Sequence, residues 1–220
     1  MRAGKALVAW SGGKDAAWAL HLARAHDLDV VGLLTTMAGD RVAMHEVRQG
    51  LVEAQAAAAG LPLWTVRLPW PCPNREYESA LRQALVRARG DGIEAVVFGD
   101  LFLADIRAYR ESLLAGSGIR PVFPLWGRDT AALAEEMIEG GLRAALVCVD
   151  LGKLPARFAG RDFDSALLGE LPPSCDPCGE NGEFHTFAWA GPMFRAPLSF
   201  ARGQVEERGG FAYADLRAAG

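Results

Sequence analysis

The sequence has few cysteines, no excess of positive charge and no long hydrophobic run. Its four cysteines, unevenly placed in 220 residues, are too few for the disulfide framework of a secreted protein. Lysine and arginine number 23 against 27 aspartate and glutamate, so the net charge of -4 gives no overall basic field for nucleic acid. The apolar run at 6–10 ends too early for a signal peptide or a membrane span. We therefore expect a cytoplasmic protein that does not bind a membrane and has no overall charge for attracting nucleic acid, although a local basic face stays open.

Half of the residues are apolar, so the chain can bury a substantial core. Over roughly its first two-thirds, apolar runs of strand length alternate with amphipathic stretches, which predicts an α/β fold with a mainly parallel sheet. The candidate strands are 6–10, 30–35, 63–68, 95–98 and 144–149. The candidate helices are 15–25, 42–59, 75–89, 104–114, 130–139 and 163–168. On the second of these helices we expect Val47, Leu51, Ala54 and Ala58 to form the buried stripe.

After Asp150 the pattern changes, because glycine and proline become frequent and the helical period weakens. Short alternating runs resemble β-ribbon and lie at 184–189, 198–205 and 211–213. These features predict a smaller α+β C-terminal lobe. Since Pro121, Pro124 and Gly127 interrupt the pattern, we divide the chain into domains 1–125 and 126–220.

The motif Ser11-Gly12-Gly13-Lys14-Asp15 follows the first predicted strand and opens a helix. Glycines let backbone N–H groups approach phosphate oxygens, and the helix adds unpaired N–H groups and the positive end of its dipole. A Walker loop would need glycine at position 8 and serine or threonine at 15, and the dinucleotide fingerprint is also absent. A tight structural turn is the alternative, but strand, helix and charged residues together favour phosphate binding.

This turn resembles the diphosphate-binding loop of the N-type ATP pyrophosphatases. The resemblance implies a Rossmann-like fold of the adenine nucleotide alpha hydrolase type, and a reaction that transfers AMP from ATP with diphosphate as leaving group. It also implies Mg²⁺, for which Asp15 is the candidate ligand, since carboxylate and phosphate oxygens suit this cation. A serine often follows the aspartate in this superfamily, whereas Ala16 stands here.

A second cluster of ionisable side chains lies at 175–186 and contains Glu180, Glu183 and His185. Two carboxylates and an imidazole can bind or deprotonate an amine. If 183–185 is extended, Glu183 and His185 face the same side. Cys175 and Cys178 have the spacing of metal ligands or of a redox pair, but they lack a matching second pair and the usual strand-to-helix context. Reduced thiols are the simpler interpretation.

Together the two motifs resemble the diphthine-ammonia ligase family, also called diphthamide synthetase, over nearly the whole chain. The segments that carry this resemblance are 11–15, 41–45, 55–56, 60–62, 97–100, 123–127 and 179–186. The segment Gly179-Glu180-Asn181-Gly182-Glu183-Phe184-His185-Thr186 narrows the superfamily to this family.

The resemblance implies that ATP adenylates the carboxylate of diphthine, a modified histidine on elongation factor 2, and that ammonia then displaces AMP. Domain 1–125 would bind the nucleotide and domain 126–220 the substrate. The expected site has four groups: catalytic Lys14, Glu180, Glu183 and His185; nucleotide-binding Ser11, Gly12, Gly13, Lys14, Asp15, Thr35 and Asp100; substrate-binding His45, Asn181 and Thr186; and magnesium-binding Asp15 and Asp100. Asp100 is assigned because it lies at the carboxyl end of a predicted parallel strand. Thr35 ends the second predicted strand, and an ordinary β-branched strand residue is the alternative for it. Thr36 is a further candidate for the adenosine pocket.

Several alternatives stay open at this point. Shorter relatives occur where diphthamide is not made, so the acyl acceptor could be a small molecule, and the chain is expected to lack the extra C-terminal domains of longer relatives. The acceptor could instead be an RNA base that is thiolated or aminated, a hypothesis motivated by Cys175 and Cys178. A non-catalytic ATP-binding module is the third reading. The oligomeric state is open, with a homodimer among the alternatives.

Overall fold

The computed structural model describes residues 4–42 and 47–218. Its first sheet is mainly parallel and has the strand order β3-β2-β1-β5-β6, with β4 also paired to β2. Only β3 runs antiparallel to its neighbour β2. The strands are β1 (Lys5–Ala9), β2 (Asp29–Ala38), β3 (Arg41–Val42), β4 (Leu63–Leu68), β5 (Ile93–Val97) and β6 (Arg120–Val122). The predicted α/β class and parallel sheet are thereby confirmed.

Helices cover both faces of this sheet. They are α1 (Lys14–Ala25), α2 (Gln49–Ala59), α3 (Asn74–Gly90) and α4 (Ala104–Leu114), followed by α5 (Thr130–Glu139) and α6 (Ser165–Glu170). Helices α3 and α4 pack on Leu7, Leu34 and Val96 in one core cluster. Helices α1 and α2 belong to the other cluster. This layering is typical of parallel sheets, whose strands are buried on both faces.

The second sheet is antiparallel and has the order β8-β7-β10-β9. Its strands are β7 (Arg143–Asp150), β8 (Phe184–Ala190), β9 (Phe200–Arg208) and β10 (Phe211–Ala218). Buried residues of this sheet, including Leu146 and Phe187, lie in the same core cluster as α1 and α2. The two sheets therefore share apolar surface, and burial of a single side chain such as Phe187 contributes about 1.5–3 kcal/mol. The predicted smaller C-terminal lobe of mixed helix and strand is confirmed.

Three expectations about elements are wrong. The strand at 143–150 does not extend the parallel sheet, because it pairs antiparallel with β8 and β10. Helix α2 begins at Gln49 rather than at position 42, since Val42 pairs with Met37 in β3. Its buried stripe contains Leu51, Val52, Gln55, Ala56 and Ala59, whereas Ala54 and Ala58 are only half-buried and Val47 precedes the helix.

Most other boundaries agree closely with expectation. Strand β4 and helices α4 and α5 have the predicted limits, and the three C-terminal runs are strands. Among the described residues, none of the helices combines the length and the apolar character that crossing a bilayer requires.

Candidate active site

The glycine turn lies between the carboxyl end of β1 and the start of α1. Gly12 has φ 84°, a left-handed conformation that favours glycine, and a Cβ there would lie 3.0 Å from Gln55 Oε1. Gly13 provides no side-chain cap for α1. The cap comes from β8 instead, because Thr186 Oγ1 accepts a hydrogen bond from the Lys14 amide at 3.0 Å. A residue of the second sheet therefore completes the first turn of the first helix.

The fully buried side chain of Gln55 holds this turn in place. Its Nε2 donates to the carbonyl oxygens of Gly12 at 2.9 Å and Ala188 at 2.6 Å, and its Oε1 accepts from Trp10 Nε1 at 2.9 Å. The Ala188 amide also donates to the Gly12 carbonyl at 2.9 Å. Because every one of these groups is inside the protein, the network fixes β8 against the glycine turn.

Lys14 is a buried lysine that connects the two motifs. Its Nζ lies 2.8 and 2.9 Å from the two carboxylate oxygens of Asp15 and donates to the Cys178 carbonyl. The rings of Phe163 and Phe184 lie nearby, with their centroids 5.4 and 5.6 Å from Nζ. Burial is the largest single influence on the pKa of Lys14 and acts to lower it, but the hydrogen-bonded Asp15 carboxylate and the other acidic groups nearby together outweigh it, so the pKa is raised. The amine stays charged.

The segment 175–183 is organised by Asp176 and Glu183. Asp176 Oδ1 accepts from the amides of Cys178 and Glu180 at 3.0 and 3.1 Å, and Oδ2 accepts from Thr130 Oγ1 at 2.6 Å. Glu183 Oε1 accepts from the Asp176 amide at 3.0 Å. These bonds tie the segment to α5 and hold the backbone of Glu180 in position.

A cavity of about 280 Å³ opens where the two motifs meet. The predicted residues that line it are Ser11, Gly13, Lys14, Asp15, Asp100, Glu180, His185 and Thr186. It lies at the carboxyl ends of β1 and β5, where open α/β sheets place their ligands. The structure thus brings the beginning and the end of the chain into one site.

Other predicted residues lie elsewhere. Thr35 is buried in β2 and is not among the residues that line the cavity, whereas its neighbour Thr36 is, because successive strand residues face opposite sides. Glu183 is also buried outside the cavity wall, since β8 begins only at the next residue, and Asn181 is exposed and donates to Glu183. Gly12 shapes the turn without lining the cavity. His45 lies outside the described residues.

Glu180 has the most perturbed carboxyl group of the cavity wall. Its Oε1 accepts from the Leu101 amide at 2.8 Å and from the Phe102 amide at 3.4 Å. Burial raises its pKa to about 7, and the nearby charges of Asp15 and Asp100 act in the same direction. A carboxyl group that titrates near neutral pH can exchange protons with a substrate.

The neighbouring Asp100 and His185 also have shifted pKa values. Burial raises the pKa of Asp100, although Arg110 opposes this, and the Asp15 carboxylate raises it further. Burial lowers the pKa of His185, and the positive charge of Lys14 adds to this effect. The imidazole is therefore neutral at physiological pH and can accept a proton.

Asp15 and Asp100 fit a magnesium ion only in company with phosphate oxygens. In the described part of the chain, no group of three or more His, Cys, Asp and Glu side chains is arranged to hold a metal. Mg²⁺ is commonly bound by one or two carboxylates together with substrate phosphates and water. Two carboxylates that line the same cavity and influence each other electrostatically match that donor set.

The cysteines are protonated thiols. Burial raises the pKa of both Cys175 and Cys178 to about 12, with neighbouring carboxylates acting in the same direction. The Cys178 thiol donates to the Thr130 carbonyl at 3.3 Å. Nucleophilic and metal-binding chemistry both need the thiolate, so neither role suits this pair.

Sequence reasoning gave no role to the supporting residues Gln55 and Asp176, which lie in segments it singled out, and did not identify the cavity residue Arg110. For Gln55 a signal was present, because it is a polar residue in a run of alanines on the buried side of a helix. Asp176 lies inside the second motif, but its role depends on contacts with backbone amides that no residue pattern specifies. Arg110 gives no local signal.

A mainly parallel α/β domain, with a glycine turn after its first strand and a cavity completed by an antiparallel lobe, defines a two-lobed α/β enzyme. The chain belongs to the diphthamide synthase family. The family model described as "Diphthamide synthase N-terminal domain" matches residues 4–121. The model described as "Diphthamide synthase C-terminal domain" matches residues 129–217. The predicted family is thus confirmed, and with it the prediction of a ligase.

The related proteins are named diphthine–ammonia ligase. The Danio rerio protein is 30% identical over 212 residues, which cover 86% of this chain and 83% of the relative. The Rattus norvegicus protein is 26% identical over 218 residues, with 86% of this chain and 79% of the relative covered. The Schizosaccharomyces pombe protein is 28% identical over 123 residues, which are 52% of this chain but only 20% of that longer protein.

Proposed function

We propose that this enzyme is an ATP-dependent ligase that adenylates a carboxylate, releases diphosphate, and passes the acyl group to ammonia. The names of its relatives support diphthine as the acyl substrate and ammonia as the amine. The diphthine would be the modified histidine of elongation factor 2 that the family resemblance implies. The observation that carries the proposal is the shared cavity, in which the glycine turn of β1 and the Glu180 carboxyl group face the same space.

In this proposal the first domain, 1–125, binds ATP and the second, 126–220, supplies the groups that meet the acyl substrate. The diphosphate end of ATP lies at the glycine turn, where backbone amides, the Ser11 hydroxyl and the α1 dipole favour anions. The cavity wall at Leu34 and Thr36 receives the adenosine. Lys14 stays charged and offsets the charge of the leaving diphosphate.

The adenylation step exchanges one phosphorus–oxygen bond for another. A carboxylate oxygen attacks the α phosphorus, the bond from that phosphorus to the bridging oxygen breaks, and diphosphate leaves with the electron pair. The product is an acyl adenylate, in which AMP replaces oxide as the leaving group. Enclosure in the cavity protects this intermediate from water.

The second step forms the amide. The ammonia nitrogen attacks the acyl carbon, AMP leaves with the electrons of the broken carbon–oxygen bond, and one proton passes to a base. Glu180 has a pKa of about 7 and lines the cavity beside His185, so these two groups are the candidate proton acceptors. Glu183 and Asn181 act indirectly, by holding the segment that carries Glu180.

Asp15 and Asp100 would hold Mg²⁺ together with the phosphates of ATP, and the ion would neutralise part of the phosphate charge. We place the enzyme in the cytoplasm, because all four cysteines are thiols and a reducing compartment preserves them.

The test is product analysis with elongation factor 2 that carries diphthine, ATP, magnesium and ammonium. We expect AMP and diphosphate in equal amounts, and amide formation that depends on ammonium. Glu180→Gln should lower kcat by about a hundredfold or more, as loss of a general base does. Glu170→Gln, at an exposed position on α6, is the matched control and should retain activity. Release of ADP and phosphate would exclude the proposed reaction.

A further inference from the structure

One cation of the cavity wall has no role in the reaction described so far. Arg110 lies on α4 and lines the cavity. Its buried Nε has no hydrogen-bond partner among the described residues. The closest carboxylate oxygen, Asp100 Oδ2, is 3.8 Å away, which is within ion-pair range but longer than a hydrogen bond. Its Nη1 lies 3.5 Å from the Tyr77 hydroxyl, at the limit of a hydrogen bond.

The other interactions of Arg110 fix the guanidinium without using its hydrogen-bonding capacity. Its Cζ lies 5.3 Å from the centroid of the Phe98 ring, which is a cation–π contact. A guanidinium has five N–H donors in a rigid fork that matches a carboxylate in two-point fashion. A buried N–H group without a hydrogen-bond partner lowers the stability of the folded protein, so the Nε of Arg110 is suited to donate a hydrogen bond to a ligand.

The charges around the cavity show which ligand this would be. Apart from Lys14, whose amine is already bonded to Asp15 and to a backbone carbonyl, Arg110 is the described lysine or arginine that lines the cavity. The carboxyl groups of Asp15, Asp100 and Glu180 in the remaining polar wall offer no positive charge to a carboxylate. An acyl substrate must nevertheless bring its carboxylate into this cavity beside ATP.

We propose that Arg110 binds the carboxylate of the acyl substrate and selects an ionised acid over the amide product. This inference rests on the proposed function. The phosphates belong to the glycine turn, whereas Arg110 lies beside Asp100 with an apolar wall of Leu81, Leu85 and Leu114 nearby, a surface suited to the hydrocarbon that carries the acid. The amide product has no negative charge, so it pairs less strongly with the guanidinium and leaves.

A binding experiment tests this without turnover. Protein labelled with ¹⁵N-arginine and loaded with α,β-methylene ATP is titrated with butyrate, and the Nε–H resonance of Arg110 is assigned by its absence in Arg110→Lys. We expect this resonance to shift and saturate with butyrate, and not with the neutral isostere butyramide. The Arg107 resonance is the internal control, since this side chain stacks on Phe123 and Trp126 and does not line the cavity. An unchanged Arg110 resonance, or equal shifts with both compounds, would overturn the proposal.

Kinetics with diphthine-bearing elongation factor 2 provide the second measurement. Arg110→Met should raise KM for the acceptor by about tenfold or more, as loss of a charged hydrogen bond predicts, with ATP affinity changed less than about twofold. Arg107→Met should change neither quantity. Equal losses of ATP and acceptor affinity would show that Arg110 binds the nucleotide instead. If wild-type enzyme makes no AMP but the butyrate shift occurs, the proposed acceptor fails and the carboxylate site stands.

Discussion

At the scale of single residues, Glu180 combines a buried position with two backbone hydrogen bonds. The bonds to the Leu101 and Phe102 amides favour the ionised carboxylate, while burial and the nearby Asp15 and Asp100 charges favour the neutral acid. Because burial is the larger influence, the pKa rises to about 7. Glu180 therefore changes charge near the pH at which the enzyme works.

This shift predicts a pH-dependent difference in stability between wild type and Glu180→Gln. The pKa is higher in the folded protein than the value of about 4.3 for an unfolded glutamate, so folding favours the protonated form. As the pH rises from about 4.3 to 7, the free energy of unfolding of wild type should therefore fall relative to that of the variant. Above about pH 7 the difference between the two proteins should be constant. Urea unfolding at several pH values measures it. A wild-type advantage that grows with pH would contradict the assignment.

The thiols give a second prediction at this scale. Since the pKa values of Cys175 and Cys178 are about 12, neither is a thiolate at pH 8, and both are buried. Iodoacetamide should label the partly exposed Cys72 first and leave the other two unmodified until the protein unfolds. Peptide mass spectrometry of the native and urea-treated protein reads this out. Native labelling of Cys178 at the rate of Cys72 would restore the sulfur-transfer alternative.

At the scale of elements, helix α2 supports the glycine turn through Gln55. Its carboxamide joins the turn, β8 and the end of β1 in one set of hydrogen bonds. The geometry of the turn therefore depends on α2, which is separated from the turn by α1, β2 and β3. Gln55 supports the turn without lining the cavity.

Replacement of Gln55 by leucine should reduce both stability and nucleotide affinity. The change keeps the volume but leaves buried polar groups without partners, at a cost of about 3 kcal/mol in the free energy of unfolding. Gln83→Leu, on the exposed side of α3, is the matched control and should change stability by less than about 0.5 kcal/mol. Urea unfolding and calorimetric ATP titration provide the two measurements. A Gln55→Leu protein with wild-type stability would show that the network is dispensable.

The regular elements could be predicted from the sequence where periodicity and end signals agree. Helix α5 has the predicted limits, and both of its ends carry signals, since Asp129 caps the first turn with its side chain and Gly140 follows the last residue. Strand β7 was assigned to the wrong sheet because it is buried on both faces, and a continuous apolar run looks the same in a parallel sheet and in a covered antiparallel one. The start of α2 was wrong because Val42 fits a helical stripe but is paired in β3.

The sequence predicts the main charged residues of the candidate site but not which neighbouring side chains face the cavity. The two motifs contribute Lys14, Asp15, Glu180 and His185 to the cavity wall, since glycine and charge patterns identify phosphate and proton chemistry. The distinction between Thr35 and Thr36, or between Glu183 and His185, depends on where each strand begins and which side it faces. Arg110 required the packing of α4, which no local pattern encodes.

At the scale of the whole molecule, the two sheets share one core and one hydrogen-bond network. Buried residues of α1, α2, β7 and β8 lie in a single cluster, and β8 bonds directly to the glycine turn through Ala188 and Thr186. The two proposed domains are therefore separate in sequence but share one hydrophobic core.

This continuity predicts one cooperative unfolding unit. Amide protons of β1, β2 and β7 should exchange with deuterium at the same limiting free energy, because opening either sheet exposes the common core. Native-state hydrogen exchange in low concentrations of urea, followed by mass spectrometry, measures these values. Earlier exchange throughout β7, with β1 still protected, would show that the C-terminal lobe opens separately.

The position of the Lys14 ammonium group affects how variants of this enzyme should be interpreted. Its contacts with Cys178, Phe163 and Phe184 all lie in the half of the chain remote in sequence from the glycine turn. A substitution that loosens this distant packing would therefore impair the enzyme in the same way as a substitution in the turn itself. Variants grouped only by their position in the sequence would thus be assigned to different functions, although they disturb the same ammonium group.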